Sequence, residues 1–165
     1  MNDFLVIGGG IAGVSAAARL SHLGSVTLLE SEDALAYHAS GRSAALFEEQ
    51  YGQPSTVALN EASRDFHVQA EVLSPRGLLL VGSAPEADAF AHDKAHMQLE
   101  TLTVAEAQAL IPILDTTKID RAAYDADAWD IDTDKLVQTF ARMARQNGAL
   151  IKPKSAVTKI TRTQT

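Results

Sequence analysis

Phe4-Leu5-Val6-Ile7-Gly8-Gly9-Gly10-Ile11-Ala12-Gly13 opens with four apolar residues and closes on glycines spaced G-x-G-x-x-G. The apolar run reads as a buried parallel strand. Gly8 permits a tight turn out of it, Gly10 lets a pyrophosphate approach the backbone, and Gly13 allows close packing of a helix on the sheet. The amides of that helix's first turn, at Ile11 and Ala12, face the phosphates from its positive dipole end. Residues 11–23 are alanine-rich and helical in character, and Gly24 stands where a C-terminal cap belongs. Val26-Thr27-Leu28-Leu29 then reads as a second strand ending in Glu30. The interval is close to the roughly 20 residues that separate the motif from an acid holding a ribose hydroxyl. Strand, glycine turn, helix, strand and terminal acid together predict a dinucleotide-binding β-α-β unit.

Composition narrows the classes. The chain has 165 residues, enough for a sizeable core, and its 46% hydrophobic and 21% charged residues are those of a globular protein. A net charge of −7 argues against nucleic acid as the main partner. Cysteine is absent from the chain, which excludes a disulfide framework, a thiolate metal site and a cysteinyl flavin link within it. The first strand is preceded by neither a basic nor an apolar segment, and no apolar run approaches a membrane span, so the expectation is a cytoplasmic protein without a membrane span.

Beyond Glu30, the stretch Tyr37-His38-Ala39-Ser40-Gly41-Arg42-Ser43-Ala44-Ala45 is rich in small residues and hydrogen-bond donors suited to an anionic ligand. Residues 56–70 read as an amphipathic helix with Leu59, Ala62, Phe66 and Ala70 on its apolar face. Ser74-Pro75-Arg76 breaks the pattern, and 77–82 is an apolar strand between glycines. Ser83 and Glu86 form a capping-box pattern that starts a helix to about Met97, and Thr103 and Glu106 repeat it for a short helix stopped before Pro112. His92 and His96 are four apart, but with no third ligand nearby they read as exposed polar residues, and no metal site is assigned. Asp125, Asp127, Asp130, Asp132 and Asp134 lack the glycine and late glutamate of a calcium loop. Asp132 or Thr133 instead caps a helix carrying Leu136, Phe140 and Met143 and ending at Asn147-Gly148. Residues 150–152 and 156–160 read as strands.

Four of these places resemble the D-amino-acid oxidase family of FAD-dependent oxidoreductases. They are the Gly8–Gly13 turn with Ala17 following, Glu30, residues 37–45 with Tyr51-Gly52 beyond, and Asp130-Ile131-Asp132-Thr133-Asp134-Lys135-Leu136. Within that broad family they look most like the D-arginine dehydrogenase-like flavoenzymes. The resemblance implies an α/β fold: a Rossmann-type FAD-binding domain with a parallel sheet, and part of a mixed-sheet α+β substrate domain. It assigns residues 1–73 and 131–165 to the first and 74–130 to the second. Because family members are longer, it also implies a truncated chain whose substrate-binding groups lie elsewhere.

The chemistry implied is oxidation of the C–N bond of an amine or D-amino acid by hydride transfer to the flavin N5, followed by imine hydrolysis; the electron acceptor stays open. Gly8, Gly10, Ile11, Ala12 and Gly13 would serve the pyrophosphate, Glu30 the adenosine ribose, and His38, Ser40, Gly41, Arg42, Ser43 and Ala44 the pyrophosphate and flavin side. Tyr51 is a candidate active-site-loop residue, and no catalytic base is assigned. In some relatives a histidine in a similar setting carries the flavin covalently; the arginine and serine after Gly41 point to non-covalent FAD. The strand at 77–81 offers only leucine and valine beyond its glycine, which points to a neutral or apolar substrate. Two other readings remain: a non-catalytic FAD-binding fragment or a subunit that needs a partner, and nicotinamide binding at the same glycines.

Overall fold

The computed structural model describes residues 2–162. In chain order its elements are β1 (Phe4–Ile7), α1 (Ile11–Leu20), β2 (Val26–Leu29), β3 (Leu46–Phe47), α2 (Pro54–Gln69), β4 (Leu73–Pro75), β5 (Leu78–Gly82), α3 (Ala87–His96), β6 (Glu100–Leu102), α4 (Val104–Leu110), β7 (Arg121–Asp125), β8 (Trp129–Ile131), α5 (Thr133–Gln146) and β9 (Leu150–Lys152). They form two compact units, one of residues 1–45 with 132–165, the other of residues 46–131.

The first unit is built on a parallel sheet in the order β1-β2-β9. Helices α1 and α5 supply its core. Val14, Ala17 and Ala18 of α1 and Leu136, Val137, Phe140, Ala141 and Ala144 of α5 are buried, so the small side chains of one helix admit the larger ones of the other. Helix α5 starts because the Asp132 side chain accepts from the Lys135 amide at 2.8 Å. It stops at Gly148, whose φ of +87° suits a glycine, while the Ala149 amide donates back to Ala144 at 2.9 Å. Leu28, fully buried on the central strand, is the most telling core position. Leu28→Ala is expected to destabilise the unit by about 2–5 kcal/mol, read as a lower urea midpoint at unchanged slope.

Several expectations need correction here. β1 is an edge strand with only one covered face: Leu5 and Ile7 are 57% and 51% exposed, so the apolar run is not buried throughout. Helix α1 ends at Leu20 with Ser21 as its cap, not at Leu23. Gly24 serves close approach instead: a Cβ there would meet Asp3 Oδ2 at 2.8 Å. Residues 156–160 form no strand. They have no ladder partner among the described residues, and a strand exists only as one side of a ladder.

The second unit holds two antiparallel sheets, β3-β8-β4 and β5-β7-β6. Pro75 does not merely break the chain; it closes edge strand β4, where a missing N–H costs no ladder bond. Helix α2 starts at Pro54, earlier than periodicity indicates, because proline suits the first helical position. It has no fully buried residue, and Leu59 is 68% exposed, so the stripe through Leu59 and Ala62 is not a core face in this unit. The Ser83–Glu86 pattern opens a single tight turn before α3, with Glu86 accepting from the Ser83 amide and hydroxyl. The Thr103–Glu106 box is fully reciprocal at the start of α4. No helix among the described residues is long and apolar enough to cross a membrane.

Candidate cofactor site

The site grows from the turn between β1 and α1. The Gly8 amide donates to the Leu29 carbonyl at 2.8 Å, tying the turn to the end of β2, and its φ of +103° is open to glycine. A Cβ on Gly13 would run into the Gly8 carbonyl oxygen, so helix and turn touch through bare backbone. At Gly10 the nearest atom to an added Cβ is the Ser40 hydroxyl, at 3.2 Å. That hydroxyl accepts from the Ile11 amide at 3.0 Å and so caps α1 from a position 29 residues on. The next two amides, Ala12 and Gly13, have no i−4 carbonyl within the helix. The first turn of α1 carries no acidic residue, which leaves its positive end open to an anion.

Glu30 closes the turn from the other side. Its Oε2 accepts from the Gly9 amide at 2.5 Å, and its Oε1 accepts from the Glu32 amide at 2.9 Å and the Ser31 hydroxyl at 3.0 Å. These bonds, the Glu32 amide foremost, hold the carboxyl below the usual range, so it is ionised at neutral pH despite burial. A carboxylate has about four lone-pair sites, and three are used here, which leaves capacity for a further donor such as a ribose hydroxyl.

A cavity of about 280 Å³ adjoins α1, lined by Ile11, Ala39, Ser40, Ser43, Thr133 and Leu136. Ser40 and Ser43 from the donor-rich stretch are thus brought together with the start of α1. Thr133 and Leu136 were not among the sequence-derived site candidates; the signal that contained them was the 130–136 stretch, read for its helix cap and its family resemblance but not as part of the site. The other candidates have contacts of their own within the chain. Gly41 permits the close approach of the Ala36 carbonyl oxygen. Arg42 Nε donates to the Tyr37 carbonyl at 3.0 Å, and its guanidinium lies over the Tyr37 ring at 5.1 Å. His38 is 70% exposed, with Nε2 3.0 Å from Glu32 Oε1. Ala44 is exposed. Tyr51 belongs to the second unit, exposed, with its carbonyl accepting from Asn60 Nδ2 at 3.3 Å.

The residues present fit a dinucleotide. Glycine at position 10 keeps the face beside Ser40 clear, unshared helix amides supply donors, and an ionised acid ends β2. Among solved structures, the chain is similar to glycine oxidase from Bacillus cereus ATCC 14579 (TM-score 0.81, 23% identity over 99% of this chain and 50% of that one). It is similar also to L-proline dehydrogenase from P. horikoshii (0.75, 21%, 92% and 43%). A third is dithionite-reduced L-alpha-glycerophosphate oxidase from Mycoplasma pneumoniae with FAD bound (0.77, 20%, 93% and 44%). The chain spans about half the length of these proteins. The model of the DAO family, "FAD dependent oxidoreductase", matches residues 3–165. The chain therefore belongs to the DAO family of FAD-dependent oxidoreductases.

Proposed function

We propose that the protein containing this chain oxidises the C–N bond of an amine or D-amino acid to an imine that water hydrolyses. The observation that carries the reading is the capping of α1 by Ser40, which joins the donor-rich stretch to the glycine turn. FAD, when bound, supplies the hydride-accepting chemistry at its N5. The chain's own residues do the holding. The α1 amides and Ser40 would take the pyrophosphate, and Glu30, already ionised, would accept from the adenosine ribose. Ile11, Ala39 and Leu136 supply apolar lining beside Ser40 and Ser43. The division of the domains follows the same reading, with the FAD-binding part drawn from 1–73 and 131–165. An amine that arrives neutral needs no base from the protein, so none is assigned. Residues 77–81, with leucine and valine as their side chains, favour a neutral or apolar substrate over a cationic one.

His38 bears on how the flavin is held. Its ring nitrogen is engaged with Glu32, and that supports non-covalent FAD. Acid precipitation of the full-length protein is expected to give a yellow supernatant and a colourless pellet; a yellow pellet that loses colour in His38→Ala would show a covalent link. The reaction itself is tested by anaerobic bleaching of the flavin absorption with a panel of D-amino acids, N-methyl amino acids and simple amines, with glycerol 3-phosphate as the competing alcohol substrate. Bleaching by a neutral amino compound supports the proposal. Bleaching by glycerol 3-phosphate alone would move the reaction to a C–O bond, and a panel that never reduces the flavin would leave a non-catalytic FAD-binding module as the better reading.

A further inference from the structure

In the second unit, Glu48 is only 6% exposed, yet it lines one small cavity together with another carboxyl group, that of Asp125. Its Oε1 accepts from the Gln50 amide at 3.0 Å, whereas Oε2 is buried with no donor. Asp125 in turn has Oδ1 occupied by the Asp127 amide at 2.8 Å. Two carboxylates side by side are both acceptors, and they repel in a poorly hydrated setting. One added proton turns that repulsion into a short, charge-assisted O–H···O⁻ bond.

We propose that Glu48 and Asp125 share one proton, and that this proton latches segment 46–51, which ends at Tyr51, onto strand β7. Among the described residues lining the cavity beside the pair, the basic group is Arg64, and it is engaged with Glu49. That cavity, of about 200 Å³, is lined by Glu49, Gln50, Arg64, Gln98, Asp125 and Asp127 besides Glu48 itself. Glu49 and Asp127 add negative charge. Arg64, reaching in from α2, is bonded to Glu49 at 2.8 Å. Helix α2 also presents Glu61, whose Oε1 accepts from Gln50 Nε2 at 3.3 Å and adds further negative charge, and His67, which stands edge-on to the Phe47 ring and whose pKa burial lowers towards the neutral form. Gln50 and Gln98 bond each other through their side-chain amides at 3.0 Å. Burial first, and the Asp125 carboxyl second, push Glu48 up to about 7.

The sign of the effect follows. The folded protein keeps this proton up to about pH 7, while the unfolded chain releases it near 4.5. The stabilisation is therefore complete below about 4.5, declines through that window, and is gone above it. Glu30 and Asp3, whose values are lowered, act in the opposite sense and on the acid side of the window.

The test is a carboxyl-carbon NMR titration of the full-length protein labelled at glutamate, from about pH 5 to about pH 9, with hydrogen exchange of segment 46–51 followed in parallel. The expected result is one glutamate titrating near 7, missing in Glu48→Gln, and loss of protection at the Gln50 amide across the same range. Glu48→Gln keeps a donor towards Asp125 at every pH, so its protection should not change there. If that variant does not fold, Asp125→Asn identifies the resonance by returning it towards the ordinary glutamate range. A Glu48 that titrates in the ordinary range in the wild type would overturn the proposal, as would a Glu48→Gln protein that keeps the transition. Protection restored above pH 8 in the wild type by calcium or ammonium chloride, and not in Glu48→Gln, would assign the pair to a cation instead and equally overturn it.

Discussion

Gly13→Ala is expected to remove bound FAD and to lower thermal stability together. The new Cβ would run into the Gly8 carbonyl oxygen, with the Val6 side chain in ordinary contact at 3.5 Å. A carbonyl in the main chain cannot rotate aside as a flexible side chain would, so the turn must open or α1 must lift from the sheet. Overpacking of this kind costs about 1–3 kcal/mol. For a protein of this size or larger that is a fall in Tm on the order of 2–4 °C per kcal/mol. The same shift displaces the Ile11 amide from Ser40 and unmakes the site. Gly148→Ala separates the two effects. Its φ of +87° makes alanine unfavourable by about 1–2 kcal/mol, yet no atom lies within 4 Å of the added Cβ. It should lower Tm while leaving the flavin content intact. Flavin absorbance per protein after gel filtration, with a melting curve for each variant, checks both. A Gly13→Ala protein that keeps its full flavin content would contradict the account of the turn.

The second large effect is expected at Glu30. Glu30→Gln places an amide where two backbone N–H groups and a hydroxyl now converge on a carboxylate. An amide has one accepting oxygen, so a donor must face either the Gly9 or the Glu32 amide. Leaving one buried donor unsatisfied costs about 1–3 kcal/mol, and the Gly9 end of the glycine turn is released. FAD affinity should fall more than that of a variant altered at an exposed position such as His38. The pH dependence has a definite sign. Because the Glu30 carboxyl is held below its ordinary value of 4.5, its contribution is present above that value and is lost as the pH falls below it. Glu30→Gln should flatten this acid limb of the stability curve. An unchanged limb would show that Glu30 is not the group responsible.

What could be read from the chain beforehand follows from how local each signal is. The β1 turn, α1, β2 and Glu30 lie within one continuous stretch, and each residue's requirement is met by near neighbours. The same holds for α5, whose start at Asp132 and stop at Gly148 are written beside it. The short strands β3, β4 and β8 were not legible, because two or three residues carry no periodicity and their ladders close between distant parts of the chain, as Ser74 with Asp130. The exposure of Leu5 and Ile7 was not legible either: an apolar run states a preference for burial, not which face has a cover. At the site, the glycines and Glu30 announced themselves by spacing. Ser40's cap on α1, and the places of Thr133 and Leu136 beside it, depend on folding across 29 residues and more than a hundred respectively. The Glu48–Asp125 pair was not legible: Asp125 stood out only as one member of an acidic cluster, and nothing local told that Glu48 would be buried beside it.

The most direct test is to denature the purified full-length protein, identify the released nucleotide by chromatography, and repeat this for Gly10→Val, whose side chain would fill the space beside Ser40. The account predicts FAD from the wild type and little or none from the variant, with the variant's melting curve still cooperative. Recovery of NAD without FAD, or full FAD retention in a folded Gly10→Val protein, would contradict it.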